Sequence, residues 1–314
     1  MTALRTTRQR QRGAALLIAI ALLGLLAIAT LARALSSPAG TDSELATERA
    51  LARARDALAA YGALGNRDGN QLNSPGALPC PDLDNDGTSE ELSSLCDSHI
   101  GRLPWRTLGM GPVLDGAGEC LWYARSATFS NNIPTSQRGD SADRPALNPA
   151  TPGGIVEVSA AGVGPRVAAV LIAPGAALPG QSRSGGFSDS GCREGSIEQF
   201  LEAATVGGTA YTHTDGLHAI ALQAHDGFND RVLTLTTSRL FASAGARVLG
   251  EILLAAEGES GSDGTPPYAW WIKNQWCAHV CASGMQGVVN LADGSRVARA
   301  LSVLPACVGG CTGS

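Results

Sequence analysis

Residues 13–32, GAALLIAIALLGLLAIATLA, form an uncharged run of twenty behind the basic leader MTALRTTRQRQR. A helix rises about 1.5 Å per residue, so this run is long enough to cross the roughly 30 Å hydrocarbon core of a bilayer with every backbone amide paired internally. Arg5, Arg8, Arg10 and Arg12 hold the short N-terminus on the cytoplasmic side. Everything after Arg33 is then expected on the far side, as an exported domain behind a single span.

The composition beyond the span agrees with that placement. The 314 residues are 44% apolar but only 4% aromatic, and cores of Ala, Val and Leu bury less area per residue than aromatic cores, so covalent staples are expected. Eight cysteines supply them: Cys80, Cys96, Cys120, Cys192, Cys277, Cys281, Cys307 and Cys311 all follow the apolar run. An even number in an exported segment reads as disulfides, with Cys80–Cys96, Cys277–Cys281 and Cys307–Cys311 as local candidates. The formal charge of −5 becomes −9 when the four leader arginines are removed, and an acidic exported domain argues against nucleic acid as a partner.

Three readings fit the N-terminus. A secretory signal peptide would use Ala32-Arg33-Ala34 as its cleavage site, but its apolar stretch is normally 7 to 15 residues. An uncleaved signal anchor fits the length and charge, and would tether a ligand-binding or sensor domain. The third reading uses the junction Arg12-Gly13-Ala14-Ala15-Leu16-Leu17, which resembles the leader of type IV pilins and type II secretion pseudopilins.

The resemblance implies a cut between Gly13 and Ala14 by a prepilin peptidase, methylation of the new N-terminal residue, and retention of the apolar helix as membrane anchor and then filament core. Ala14 stands where the family commonly has Phe, and Ile18 where it commonly has Glu. A carboxylate inside the bilayer costs about 2.5–3.5 kcal/mol on the insertion scale, so the family keeps it for a neighbouring subunit. A tip subunit has no earlier neighbour, so Ile18 points to a minor subunit. The resemblance thus implies a bacterial inner-membrane protein with a cytoplasmic N-terminus and a periplasmic head, whose partners are other pilin or pseudopilin subunits. GALPCPDLDNDG, GRLPWRTLG, ECLWYARS and FNDRVLTLT also resemble segments of large-headed bacterial prepilin-like proteins.

The organisation expected is a leader at 1–13, a transmembrane helix at 14–35, an amphipathic continuation at 36–62, an α+β head at 63–257 and a Trp- and Cys-rich subdomain at 258–314. Pro38 and Gly40 interrupt the first helix, and Thr41-Asp42-Ser43-Glu44 has capping-box spacing for a restart. Leu51, Ala54, Leu58 and Tyr61 then share one face, with Glu48, Arg49, Arg53 and Asp56 toward water. Residues 62–118 read as a long ordered loop anchored by the Cys80–Cys96 pair and by GRLPWRTLG. Residues 119–126, 155–160, 167–173, 218–224 and 232–237 are β-prone runs that predict an antiparallel sheet. Residues 238–257 predict a helix capped by Ser238, with Leu240, Ala244, Val248 and Ile252 on one face.

Asp82-Leu83-Asp84-Asn85-Asp86-Gly87 is the most specific polar motif. Calcium takes six to eight oxygens, and carboxylates at alternate positions converge when a glycine follows. An EF-hand would place Glu at position twelve, where this chain has Ser93, so the loop is expected to be completed by Glu90, Glu91 or a distant carboxylate and to serve structure. The alternative is an acidic turn held by Asp side chains on their own backbone. Cys277, His279, Cys281, Cys307 and Cys311 have a spacing compatible with zinc, but disulfides are favoured outside the cytoplasm. Ser188-Asp189-Ser190-Gly191 with His213, His218 or His225 lacks the context of a protease triad, and no enzyme is expected. Residues 267–276, PYAWWIKNQW, are read as packing around the disulfides, with a recognition surface as the alternative if exposed.

Overall fold

The computed structural model describes residues 40–64, 75–90, 96, 98–129, 146–159, 162–202, 219–221, 229–256, 274–300 and 311. The chain divides into two compact units, Met1–Ala46 and Thr47–Ser314. In the first unit residues 40–46 are helical. Gly40 is already inside the helix, so Thr41 is not its N-cap. Among the described residues no helix is long and apolar enough to cross a membrane. The apolar run, the leader and the Gly13–Ala14 junction lie outside those residues.

The second unit is α+β, with two sheets. The larger contains β1 (Ile100–Arg102), β2 (Trp122–Arg125), β3 (Ile155–Ser159), β4 (Gly162–Ala173), β5 (Ala219–Ala221) and β6 (Arg231–Thr236). Strand β4 organises it: β2 and β6 flank its C-terminal half, antiparallel, and β3 pairs antiparallel with its N-terminal half. Strand β5 corrects the all-antiparallel expectation, because Val156, Glu157 and Val158 of β3 pair in parallel with Ala219, Ile220 and Ala221. A parallel neighbour requires a crossover, and the long connection between β3 and β5 supplies the length. The stretch expected to be loop throughout, 62–118, contributes β1, paired with β2, and an isolated bridge between Leu114 and Cys120.

Val167–Ala173, VAAVLIA, is buried at every position, as a continuous apolar run requires when both sheet faces are covered. The period of two sorts the side chains. Ala169, Leu171 and Ala173 join Tyr123 and Leu235 on the inner face, while Val170 and Ile172 join Trp122, Ala124, Phe200 and Leu201 on the outer face. Each fully buried Leu, Val or Phe contributes about 1.5–3 kcal/mol of transfer free energy.

Helices α1 (residues 47–64) and α2 (Thr237–Ala256) contribute to the inner-face core. In α1 the expected stripe is buried at Leu51, Ala54 and Leu58, with Tyr61 half-buried, and Glu48, Arg49, Arg53 and Asp56 are exposed. Gly62 permits close approach, since a Cβ there would lie 2.6 Å from Leu240 Cδ1. Arg247 closes the end of α1, donating from Nη1 to Ala63 O at 2.9 Å and to Leu64 O, which places positive charge at a helix C-terminus. The cap of α2 is Thr236, not Ser238: Thr236 Oγ1 accepts the amide of Arg239 at 3.2 Å. Leu240, Ala244 and Val248 line its buried face.

The second sheet is a meander of β7 (Val280–Ser283), β8 (Gln286–Asn290) and β9 (Arg296–Ala300). It shares the inner core, because Trp276, Val280, Val289 and Leu291 belong to the same cluster as α1 and α2. Trp276 is wholly buried, edge-on to Phe241 with ring centroids 5.8 Å apart.

Three disulfides are described: Cys80–Cys96, Cys120–Cys192 and Cys281–Cys311. The first is as expected. The third overturns the local pairings Cys277–Cys281 and Cys307–Cys311. Its cause is backbone pairing: Cys311 N donates to Ala282 O at 2.8 Å, which brings Cys311 alongside β7. Cys277, in the turn before β7, is disulfide-bonded as well. Cys120–Cys192 joins residues 72 apart, and in the chain-entropy account such a closure contributes about 4 kcal/mol.

The packing predicts a contrast along α1. Leu58→Ala is expected to lower stability by about 2–5 kcal/mol, and Leu64→Ala, more than half exposed on the same helix, by less than about 0.5 kcal/mol, as read by urea unfolding.

Candidate metal centre

The acidic loop begins on the edge of the larger sheet. Asp82 and Arg102 exchange backbone hydrogen bonds, Asp82 N to Arg102 O at 3.0 Å and Arg102 N to Asp82 O at 2.8 Å, so Asp82 sits beside β1 as a one-residue strand. Its side chain is buried and accepts the loop's own amides, Asn85 N on Oδ1 at 2.7 Å and Gly87 N on Oδ2 at 2.8 Å. Asp84 Oδ1 accepts Asp86 N at 3.1 Å. Asp86 Oδ1 accepts Thr88 N at 2.6 Å and Thr88 Oγ1 at 2.5 Å. Glu90 Oε1 reaches back to Leu83 N at 3.2 Å and Asp84 N at 3.4 Å.

Two segments hold this loop. Gly87 has φ +89°, and a Cβ there would lie 2.5 Å from the Trp105 ring, so both the turn and the aromatic lid require glycine. Arg106 N donates to Gly87 O at 2.8 Å and Ser89 N to Thr107 Oγ1 at 2.9 Å. From the other side, Asn85 Nδ2 donates to Ser188 Oγ at 3.1 Å and Cys192 O at 3.3 Å, while Ser188 Oγ donates to Asn85 O at 3.2 Å. The Cys80–Cys96 bridge brackets the loop and Cys120–Cys192 fastens its neighbour.

The result is four carboxylates facing one point. One oxygen each from Asp82, Asp84, Asp86 and Glu90 lies within 4.8 Å of all the others. Oxygens on a common calcium at 2.3–2.6 Å are separated by at most about 5 Å, so the spread fits a hard cation and the all-oxygen donor set suits calcium over zinc. Burial, and then the charges of Asp86 and Asp84, push the Asp82 carboxyl up to about 6 against the pull of the Gly87 and Asn85 amides. The hydrogen bonds from Thr88 hold Asp86 below the usual carboxylate range. Glu91 and Ser93 lie outside the described residues, so among the expected ligands the structure brings together Asp82, Asp84, Asp86 and Glu90.

Cys277, Cys281 and Cys311 are in disulfides and offer no thiolate to zinc. Ser188 Oγ is engaged by Ser190 Oγ at 2.5 Å and by Cys192 O at 3.1 Å. His213, His218 and His225, together with Trp270, Trp271 and Cys307, lie outside the described residues. No family model, curated protein or solved structure matches the chain.

One arrangement beside the loop has no local sequence signal. Arg102 is buried with its guanidinium 4.3 Å from the Trp122 ring centroid and 4.1 Å from that of Phe200, and its Nη2 donates to Arg193 O at 2.6 Å. Burial brings Arg102 down to about 10, opposed by the charges of Glu119 and Asp82. Glu119 is the carboxylate shared by Arg193 at 3.2 Å and Arg183 at 3.8 Å.

Two glycines of similar backbone test the loop. Gly109→Ala, at φ +68° with open space around it, is expected to cost about 1 kcal/mol of strain, whereas Gly87→Ala must also displace Trp105 and is expected to cost distinctly more by urea unfolding.

Proposed function

We propose that this chain is a minor, pilin-like or pseudopilin-like structural subunit that assembles through its apolar N-terminal segment and presents a disulfide-braced head outside the inner membrane. The observation that carries the reading is α1: immediately downstream of the Gly13 junction and the apolar run, the chain forms a helix whose apolar stripe is buried with the inner face of a largely antiparallel sheet. That is the head construction the pilin resemblance implies. The role is assembly. The span leaves lipid when its apolar surface is reburied against the spans of other subunits, with van der Waals packing as the driving contact.

Within that reading the acidic loop is a structural calcium site. Asp82, Asp84, Asp86 and Glu90 would hold the ion, and its charge would balance four clustered carboxylates where the 80–90, 101–107 and 187–193 segments meet. The ion supplies charge neutralisation and coordination; the protein groups supply the preformed turn.

Two measurements test these statements. Mass spectrometry of the mature chain is expected to find N-methylated Ala14, with Gly13→Val retaining the leader; an intact Met1 would support a plain membrane tether, and a start at Leu35 a secreted protein. Calcium at a hundredfold excess over its dissociation constant is expected to stabilise the head by about 2.7 kcal/mol, reversibly with chelator, and Asp84→Asn with Asp86→Asn to remove the effect.

A further inference from the structure

Asp230 stands at the entrance to β6 and is 1% exposed. It meets Glu202, at the end of the segment 174–202 that contributes Phe200 and Leu201 to the outer sheet face. The two residues cap each other's backbone. Glu202 N donates to Asp230 Oδ2 at 3.2 Å, and Asn229 N and Asp230 N donate to Glu202 Oε2 at 3.0 and 3.2 Å. Gln181 Nε2 donates to Glu202 Oε1 at 2.8 Å. Three of the four carboxyl oxygens therefore have an amide donor. The fourth, Asp230 Oδ1, is enclosed with no hydrogen-bond partner among the described residues.

A buried acceptor beside a second carboxyl group is costly, since burial and the neighbouring charge both disfavour ionising the pair and neither carboxylate can donate. A single proton removes both costs. Among the described residues, the charged group that acts on the pair from a neighbouring segment is Arg183. Its guanidinium is already committed to Gln181 Oε1 at 2.9 Å, Gly175 O at 2.6 Å and Phe200 O at 3.1 Å, with Glu119 at 3.8 Å. It does not bond the vacant Asp230 oxygen.

We infer that Asp230 and Glu202 share one proton, carried by Asp230, whose Oδ1 is otherwise unpartnered, and that this proton is a clasp fastening the 174–202 cover to β6. Burial and then the charge of Glu202 push Asp230 up to about 9, with the Glu202 amide and Arg183 pulling the other way. The unfolded chain releases the same proton near pH 4. The folded state thus holds one extra proton between those limits. The clasp's contribution is full below about pH 4 and is lost as the pH rises toward about 9.

Asp230→Asn provides the test, because an asparagine amide occupies the same space and donates where the protonated acid donates. Urea unfolding of the full chain is measured from about pH 5 to about pH 9 for both proteins. The wild-type unfolding constant is expected to rise relative to the variant's by up to about tenfold per pH unit, with the variant the more stable at the alkaline end. Amides of residues 178–202 are expected to open progressively with pH in the wild type and not in the variant. In the wild-type chain alone, a carbon-13 titration is expected to show one aspartate carboxyl still protonated at about pH 7.5, above the range in which Asp82 titrates. Parallel pH profiles for the two proteins, or the absence of any protonated aspartate carboxyl at that pH, would overturn the inference.

Discussion

Strand β4 is the constraint on which the head depends. Its C-terminal half is apolar at every position, so neither side of the sheet can be left to water, and an aromatic-poor chain must find two separate covers for it. The inner cover is regular: α1, α2 and the segment from Trp276 into the second sheet share one cluster that includes Leu58, Leu240, Phe241, Trp276 and Val289. The outer cover is irregular, built from the 174–202 segment with Phe200 as its main apolar anchor and Arg102 stacked between Phe200 and Trp122. The cover pairs part of its own backbone in local turns and a bridge between Phe187 and Arg193, and an arginine takes up further carbonyls. Arg183 alone donates to the carbonyls of Gly175, Gln199 and Phe200.

The acidic loop extends the same logic to the sheet's edge. Asp82 lies against Arg102 by backbone pairing, and Arg102 carries the outer cover through its stack and through Arg193 O. The loop, the sheet edge and the cover are therefore one mechanical unit, fastened by Cys80–Cys96 on one side and Cys120–Cys192 on the other. The four carboxylates of Asp82, Asp84, Asp86 and Glu90 gather where these pieces meet.

What could be read from sequence follows the range of the interaction. The stripe of α1, the runs that became β2, β3, β4 and β6, the helix α2, the Cys80–Cys96 bridge and the convergence of Asp82, Asp84, Asp86 and Glu90 are set within about twenty residues, and each is legible. Strand β4 starts five residues before its expected start, because Gly164 and Pro165 fall in the unpaired part of the β3–β4 ladder, between the pairs Val158–Val163 and Val156–Arg166. The parallel pairing of β5, the Cys120–Cys192 bridge, the Arg102 stack and the Asp230–Glu202 contact join positions 28 to 98 residues apart. Those depend on which segment crosses which, and no local periodicity encodes it.

Trp276 has a consequence for how the molecule comes into being. The core that shelters α1 includes side chains from residues 276–291, so a polypeptide emerging N-terminus first exposes Leu51 and Leu58 until nearly the whole chain has followed. Burial of that stripe is therefore completed only once residues 276–291 have been made, and until then the helix carries an apolar face open to association. Truncation near the C-terminus would remove a wall of the interior, leaving no smaller version of the same architecture.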